Sequence, residues 1–164
     1  MKKIALIGMM GCGKTTVGKA LAESLQLEFV DIDKEIEIAE NMTISEIFAQ
    51  KGELFFRKIE KNILQKFANS QNIVLSTGGG IVEDEENLKF LNENFYTIYL
   101  KTSSEELFDR IKNDNTRPLL KTDNPKKTLE NLLKKRENNY QKAQKIVISD
   151  KKIPEQIVKE IKND

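Results

Sequence analysis

Gly8-Met9-Met10-Gly11-Cys12-Gly13-Lys14-Thr15 decides the fold. The stretch has the spacing G-x-x-x-x-G-K-[ST], directly after the apolar run Ile4–Ile7 and directly before a helical pattern. Glycines let the backbone turn tightly, so that successive N–H groups converge on phosphate oxygens, and the following helix adds its positive N-terminal end. Lys14 brings a full charge to the β- and γ-phosphates, and Thr15 offers a hydroxyl to Mg²⁺. Gly11, Cys12, Gly13, Lys14, Thr15 and Thr16 are therefore candidate ATP-binding residues, and the acceptor stays open. Cys12 lies near Lys14 and a helix start, where a thiol can be acidified. The plainer reading makes it a small filler in a loop whose backbone does the binding.

Working outward, the rest of the chain alternates helical patterns with short β-rich runs, the mark of an α/β sheet built from crossover units. Expected strands are Lys3–Ile7, Glu28–Asp31, Ile73–Ser76, Phe95–Leu100 and Lys145–Ser149. Ile4–Ile7 and Ile73–Leu75 are continuous apolar runs, as in strands covered on both faces. Val17, Ala20, Leu21, Ser24 and Leu25 fall on one helical face. Thr43 with Glu46, and Thr102 with Glu105, have capping-box spacing, and Pro154 suits the first turn of a helix over Ile153–Lys162. Asn113–Asn124 is polar and aperiodic around Arg117-Pro118, which in a compact domain marks either a disordered segment or a functional loop such as a lid, and the lid is the favoured reading.

The second expected strand ends in Asp31-Ile32-Asp33, and the third runs into Gly78-Gly79-Gly80. Ligands of open α/β sheets gather beyond the carboxyl ends of the strands, where these residues and the phosphate loop would meet. Asp31 and Asp33 also fit a plain helix cap with a first-turn acid. Three glycines in a row carry a large entropy cost, which points to a ligand approaching the backbone rather than to ordinary turn chemistry.

Composition bounds the chemistry. The 164 residues include 27 Lys+Arg, 26 Asp+Glu, one Cys and no His. Proton transfer must then use a carboxylate, Lys, Tyr or the one thiol, and both a Ser-His-Asp triad and a His/Cys zinc site are excluded. Residues 1–100 carry 11 basic and 15 acidic side chains, and residues 101–164 carry 16 and 11, an asymmetry that charged helix faces explain. A formal charge of +1, with no basic stripe interleaved with aromatics, argues against nucleic acid and anionic membrane as partners. The single Cys and the short N-terminal apolar run fit a cytoplasmic protein.

GMMGCGKTTVGKALA at Gly8–Ala22, DID at Asp31–Asp33, FFRKIE at Phe55–Glu60, STGGGIV at Ser76–Val82, RPLL at Arg117–Leu120 and RENNY at Arg136–Tyr140 follow one another in an order and spacing that resembles the shikimate kinase family. The resemblance implies one domain over residues 1–164 with a three-layer P-loop kinase fold, a five-stranded parallel sheet in order 2-3-1-4-5 flanked by helices. It also implies a mobile lid over 113–124, a substrate-binding helical segment over 33–61 and a monomer. The implied reaction moves the γ-phosphoryl of ATP to the 3-hydroxyl of shikimate.

Carried over residue by residue, the resemblance gives Asp33 the substrate hydroxyls and the role of base. Arg57 and Arg136 hold the substrate carboxylate, and Gly78, Gly79 and Gly80 meet it through the backbone, with Glu60 orienting Arg57. Lys14 and Arg117 neutralise charge on the transferring group. Thr15 binds Mg²⁺ directly and Asp31 does so through water, while Arg110 packs on adenine opposite a loop at 149–152. Alternatives stay open here. Arg57 also reads as a surface partner of Glu60, Arg136 as a solvated charge in Lys134-Lys135-Arg136, Arg117 as an inert loop charge, and Phe48, Phe55 and Phe56 as core. Rival functions are a kinase of this fold with another acceptor, such as gluconate or a nucleoside monophosphate, and a nucleotide-binding regulator without catalysis.

Overall fold

The computed structural model describes residues 2–163. Five strands form one parallel sheet: β1 (Lys3–Ile7), β2 (Glu28–Asp31), β3 (Ile73–Ser76), β4 (Tyr96–Lys101) and β5 (Lys145–Ile148). Their order is β2-β3-β1-β4-β5, as the family resemblance implies. Ala5, Leu6 and Ile7, with Val74 and Leu75, are wholly buried, which explains why β1 and β3 read as continuous apolar runs.

Helices flank the sheet: α1 (Lys14–Leu25), α2 (Ile32–Glu40), α3 (Ile44–Gln65), α4 (Glu85–Asn94), α5 (Ser104–Ile111), α6 (Pro125–Tyr140) and α7 (Pro154–Lys162). Val17 and Leu21 put the apolar face of α1 into the core. Thr43 and Glu46 form the expected reciprocal cap at the start of α3. Pro154 opens α7 after Ile153. The connections leaving β1 run toward β2 and those leaving β4 run toward β5, so a crevice opens beyond their carboxyl ends, beside the loop that follows β1.

Several expectations are corrected. The cap of α5 is Ser103, whose hydroxyl accepts from the Glu106 N–H, one residue beyond the expected Thr102–Glu105 pair. Thr102 instead buries its hydroxyl against that of Ser149. Both pairs have identical spacing, so sequence alone does not choose between them. β4 starts at Tyr96, not Phe95, because the Phe95 N–H closes α4 on the Leu91 carbonyl at 2.8 Å. β5 stops at Ile148, although the Ser149 N–H still reaches the Lys101 carbonyl at 2.8 Å.

Residues 33–61 hold most of α2 and α3, which is not one helix. Asn41–Thr43 separates the two, and Gly52 breaks α3 with φ 81° and ψ 170°, a backbone state that is nearly glycine-only. Phe48 and Arg57 therefore sit on opposite sides of a bend. The segment 113–124 is not wholly irregular: Pro118–Leu120 makes a 3₁₀ turn that tucks Leu120 against the core. No helix among the described residues is long and apolar enough to cross a membrane.

Candidate active site

The nucleotide end is built from the loop between β1 and α1. Gly13 takes φ 96° and precedes α1 with no side-chain cap, leaving the first-turn N–H groups of that helix open to an anion. Lys14 is nearly buried and donates to the carbonyls of Gly8 at 2.7 Å and Met9 at 2.9 Å, so its charge is held inside the loop by backbone. Cys12 is buried 3.6 Å from Lys14 Nζ. A Cβ on Gly8 would come within 2.9 Å of the Cys12 sulfur, which places the thiol as packing under the loop. The cavity above, about 450 Å³, is lined by Gly11, Cys12, Gly13, Lys14, Thr15 and Thr16. At its far end stand Arg110, Lys152, Pro154 and Ile157. Arg110 is fixed by Glu106 and by the Gly11 carbonyl at 3.2 Å.

Asp31 serves both readings given above. One oxygen caps α2 through the Asp33 N–H at 3.0 Å, and the other accepts the Thr15 hydroxyl at 2.7 Å. Ser76 Oγ lies 3.5 Å from the same hydroxyl. Two hydroxyls and one carboxylate are hard oxygen donors of the kind Mg²⁺ takes beside substrate phosphates and water. Among the described residues no cluster of three or more His, Cys, Asp or Glu could hold a metal, and a phosphate-linked Mg²⁺ needs none. The residues present fit the ion.

A second cavity, about 460 Å³, adjoins the first, and Thr15, Asp33, Gly78, Gly79 and Arg117 border both. Three buried polar atoms among the described residues lack a partner: Asp33 Oδ1, Glu60 Oε2 and Arg136 Nη2. All three residues line this second cavity. Buried polar atoms in native proteins are nearly always satisfied, so three orphans around one space call for a ligand with both donors and acceptors.

Each orphan is held by its other contacts. Arg136 is 1% exposed; its Nε donates to Glu83 Oε1 at 2.6 Å and its Nη1 lies 3.7 Å from Met9 Sδ. The solvated-face reading of Arg136 is thereby overturned: its neighbours Lys134 and Lys135 are exposed, and it alone turns inward. Glu60 is wholly buried and accepts Arg57 Nη1 at 2.9 Å, fixing the guanidinium as expected. Arg57 is three-quarters buried against this pair, which overturns its surface reading. A Cβ on Gly80 would lie 2.2 Å from Arg57 Nη2, so only glycine allows the arginine this close.

Burial raises the Asp33 carboxyl above its ordinary value, and the nearby Asp31 charge adds to this, against the pull of Lys14, Arg117 and Arg57. Burial likewise pushes Glu60 up to about 7, with Arg57 opposing and Asp33 reinforcing. Folded Glu60 keeps a proton that the unfolded chain loses near pH 4.5, so this group's contribution to stability falls as pH rises from 4.5 to about 7 and is flat above. The melting temperature of the wild type should therefore drop relative to that of Glu60→Gln across this window. A difference that does not move with pH would remove Glu60 as a titrating group.

Arg117 donates through Nε to Asp114 Oδ2 at 2.9 Å, which leaves its outer nitrogens to the cavities it borders. The second cavity also has an apolar side of Ile44, Phe48, Phe56, Pro118 and Leu119. Phe48 and Phe56 pack ring to ring at 4.8 Å and line the cavity, whereas Phe55 lies under Lys51; all three also sit in or against the core, as the core reading has it.

Sequence reasoning missed Ser76, Glu83, Pro154 and Leu119 as site residues. Ser76 and Leu119 stood in quoted motifs without a role, Pro154 was read only as a helix start, and nothing local ties Glu83 to Arg136, 53 residues away.

Comparisons with known proteins agree with this geometry. The family model described as Shikimate kinase matches residues 10–164. A curated shikimate kinase of Persephonella marina is 47% identical over 161 residues, covering 98% of this chain and 97% of that protein. The shikimate kinase of Aquifex aeolicus is 40% identical, with 97% and 93% covered. The solved shikimate kinase of Acinetobacter baumannii in complex with shikimate superposes with a TM-score of 0.96 at 38% identity, over 98% of this chain and 90% of that one. A gluconokinase of Sinorhizobium meliloti, 18% identical with a TM-score of 0.62, shares the fold alone. With relatives this similar over nearly its whole length, the chain belongs to the shikimate kinase family.

Proposed function

We propose that the chain transfers the γ-phosphoryl of ATP to the 3-hydroxyl of shikimate, giving shikimate 3-phosphate and ADP. The observation that carries this is the meeting of Asp33 Oδ1, Glu60 Oε2 and Arg136 Nη2, all unpartnered, in a cavity adjoining the phosphate loop. A small ring acid with several hydroxyls supplies what they lack: a carboxylate for guanidinium forks and O–H donors for carboxylate oxygens.

In this reading Arg57 and Arg136 hold the substrate carboxylate, and Gly78, Gly79 and Gly80 form the wall beside it. Asp33 accepts a hydroxyl proton while the hydroxyl oxygen forms its bond to the γ-phosphorus; the bond from that phosphorus to the β-bridging oxygen breaks, and ADP leaves. Burial of Asp33 favours this, because a carboxylate with a raised pKa is a stronger base. Lys14 leaves its two carbonyls for phosphate oxygens, and Arg117, bordering both cavities, stabilises charge on the moving group. Thr15 and Asp31 would hold Mg²⁺, which when bound neutralises phosphate charge. Arg110 and Pro154 flank the adenine.

Segment 113–124 acts as the lid, since Thr116, Arg117, Pro118 and Leu119 already border the acceptor cavity and closure would exclude water from the phosphate. The segment over 33–61 closes on the substrate from the other side. We place the enzyme in the cytoplasm as a monomer. The test is ADP release from Mg-ATP by purified protein with shikimate, gluconate or AMP. Release that depends on shikimate alone is expected, and release with another acceptor only would overturn the substrate assignment.

A further inference from the structure

The last turn of α6 carries a row of contacts that the reaction above does not use. Arg136, Asn139 and Tyr140 stand at i, i+3 and i+4, one face of the helix, and all three reach the segment Gly79–Glu83. Arg136 Nε takes the Glu83 carboxylate at 2.6 Å, Asn139 Nδ2 donates to the Val82 carbonyl at 2.9 Å, and the Tyr140 hydroxyl donates to the Gly79 carbonyl. Tyr140 is wholly buried, with its ring stacked on Tyr99 at 4.9 Å, so the hydroxyl has a fixed position. Burial also holds that hydroxyl protonated far above its ordinary range, which keeps it a donor at any working pH.

Gly79 is a sensitive place to fasten. A Cβ there would lie 3.1 Å from the Met10 N–H nitrogen, 3.4 Å from Arg136 Nη1 and 3.5 Å from the Gly8 carbonyl. Its peptide is thus wedged between the phosphate loop and an arginine of the acceptor cavity. A trans peptide sets the Gly80 N–H antiparallel to the Gly79 carbonyl, so whatever anchors one aims the other. The Gly78 and Gly80 carbonyls accept from the Ile81 and Glu83 N–H groups within the turn, whereas the Gly79 carbonyl takes its bond from Tyr140.

We infer that Tyr140 is a positioning residue for the acceptor: its hydroxyl pins the Gly79 peptide and thereby orients the glycine wall that shikimate meets, with Asn139 holding the same segment three peptides further on. The inference rests on the acceptor reading above. Tyr140→Phe keeps the ring and its stacking while removing the donor to Gly79, together with the hydroxyl's contact with Arg136.

Steady-state kinetics should show the KM for shikimate raised about 5- to 20-fold, the size of effect that follows from one buried carbonyl losing its donor. The KM for ATP should stay near the wild-type value. Tyr99→Phe is the control: that hydroxyl bonds Glu137 and does not touch the glycines, so both KM values should hold. A purely structural role would lower the melting temperature without splitting the two KM values. An unchanged KM for shikimate in Tyr140→Phe, or an equal rise in both KM values, overturns the inference. Should that variant not fold, Asn139→Ala, half-buried, is expected to raise the same KM more weakly, and no rise there is equally fatal. Wild-type turnover separates the two readings: if it ignores shikimate, the acceptor assignment falls, and the variants are compared with whichever acceptor releases ADP.

Discussion

Asp33→Asn should lower turnover with shikimate by about 10²- to 10⁴-fold, the usual worth of a positioned general base. The amide keeps an oxygen where Asp33 Oδ1 now stands without a partner, so substrate hydroxyls still find an acceptor, but it cannot take the proton. ATP affinity should hold, because Lys14 and the helix start of α1 do not depend on Asp33 for their contacts. Single-turnover ADP formation and ATP titration by calorimetry read the two halves separately. Turnover close to that of the wild type would remove Asp33 from the mechanism. Loss of ATP binding instead would point to the Asp31 cap, which the Asp33 N–H helps to hold.

Gly80→Ala should behave like Arg57→Ala. The three atoms nearest the added methyl, at 2.2 to 2.7 Å, all belong to the Arg57 guanidinium, the end of a flexible side chain, so the chain should fold and the arginine tip should move. Displacing a bidentate fork from a carboxylate weakens binding by about 10- to 100-fold, and each variant should raise the KM for shikimate by that order. The double variant should be little worse than either single one, since both remove one interaction. Independent, multiplying effects in this cycle would mean that Gly80 meets the substrate on its own account and that Arg57 does not share its place.

Much of this was legible because the chemistry lies in local patterns. The phosphate loop, the acid pair after β2 and the triple glycine each announce themselves by residue type and by position at a strand end. The strand order is not written in any periodicity; it came with the family resemblance. What stayed hidden depends on pairs far apart in sequence. Arg136 sits in a basic run that looks solvated, and only Glu83 and Met9 reveal its inward turn. The two capping spacings at the start of α5 are equal in sequence, and burial of Thr102 against Ser149 decides between them. The bend at Gly52 was unreadable because an isolated glycine is tolerated in a helix, and its φ of 81° is a tertiary outcome. Pro154 has a helix-opening role that is plain from sequence, whereas its place in the lining of the first cavity beside Arg110 is set by the fold.

The central place of β1 has a consequence for how the molecule comes into being. β1 pairs with β3 and β4, whose residues begin at Ile73 and Tyr96, so the strand that carries the phosphate loop has no partner when it is made and must wait for residues far along the chain. At about 5–20 residues per second, the wait lasts several seconds. During that interval the apolar residues Ile4–Ile7 are without the neighbours that later bury them, a segment a chaperone would cover or another nascent chain would capture. The loop that follows β1 is thus made well before the two strands that hold β1 in place.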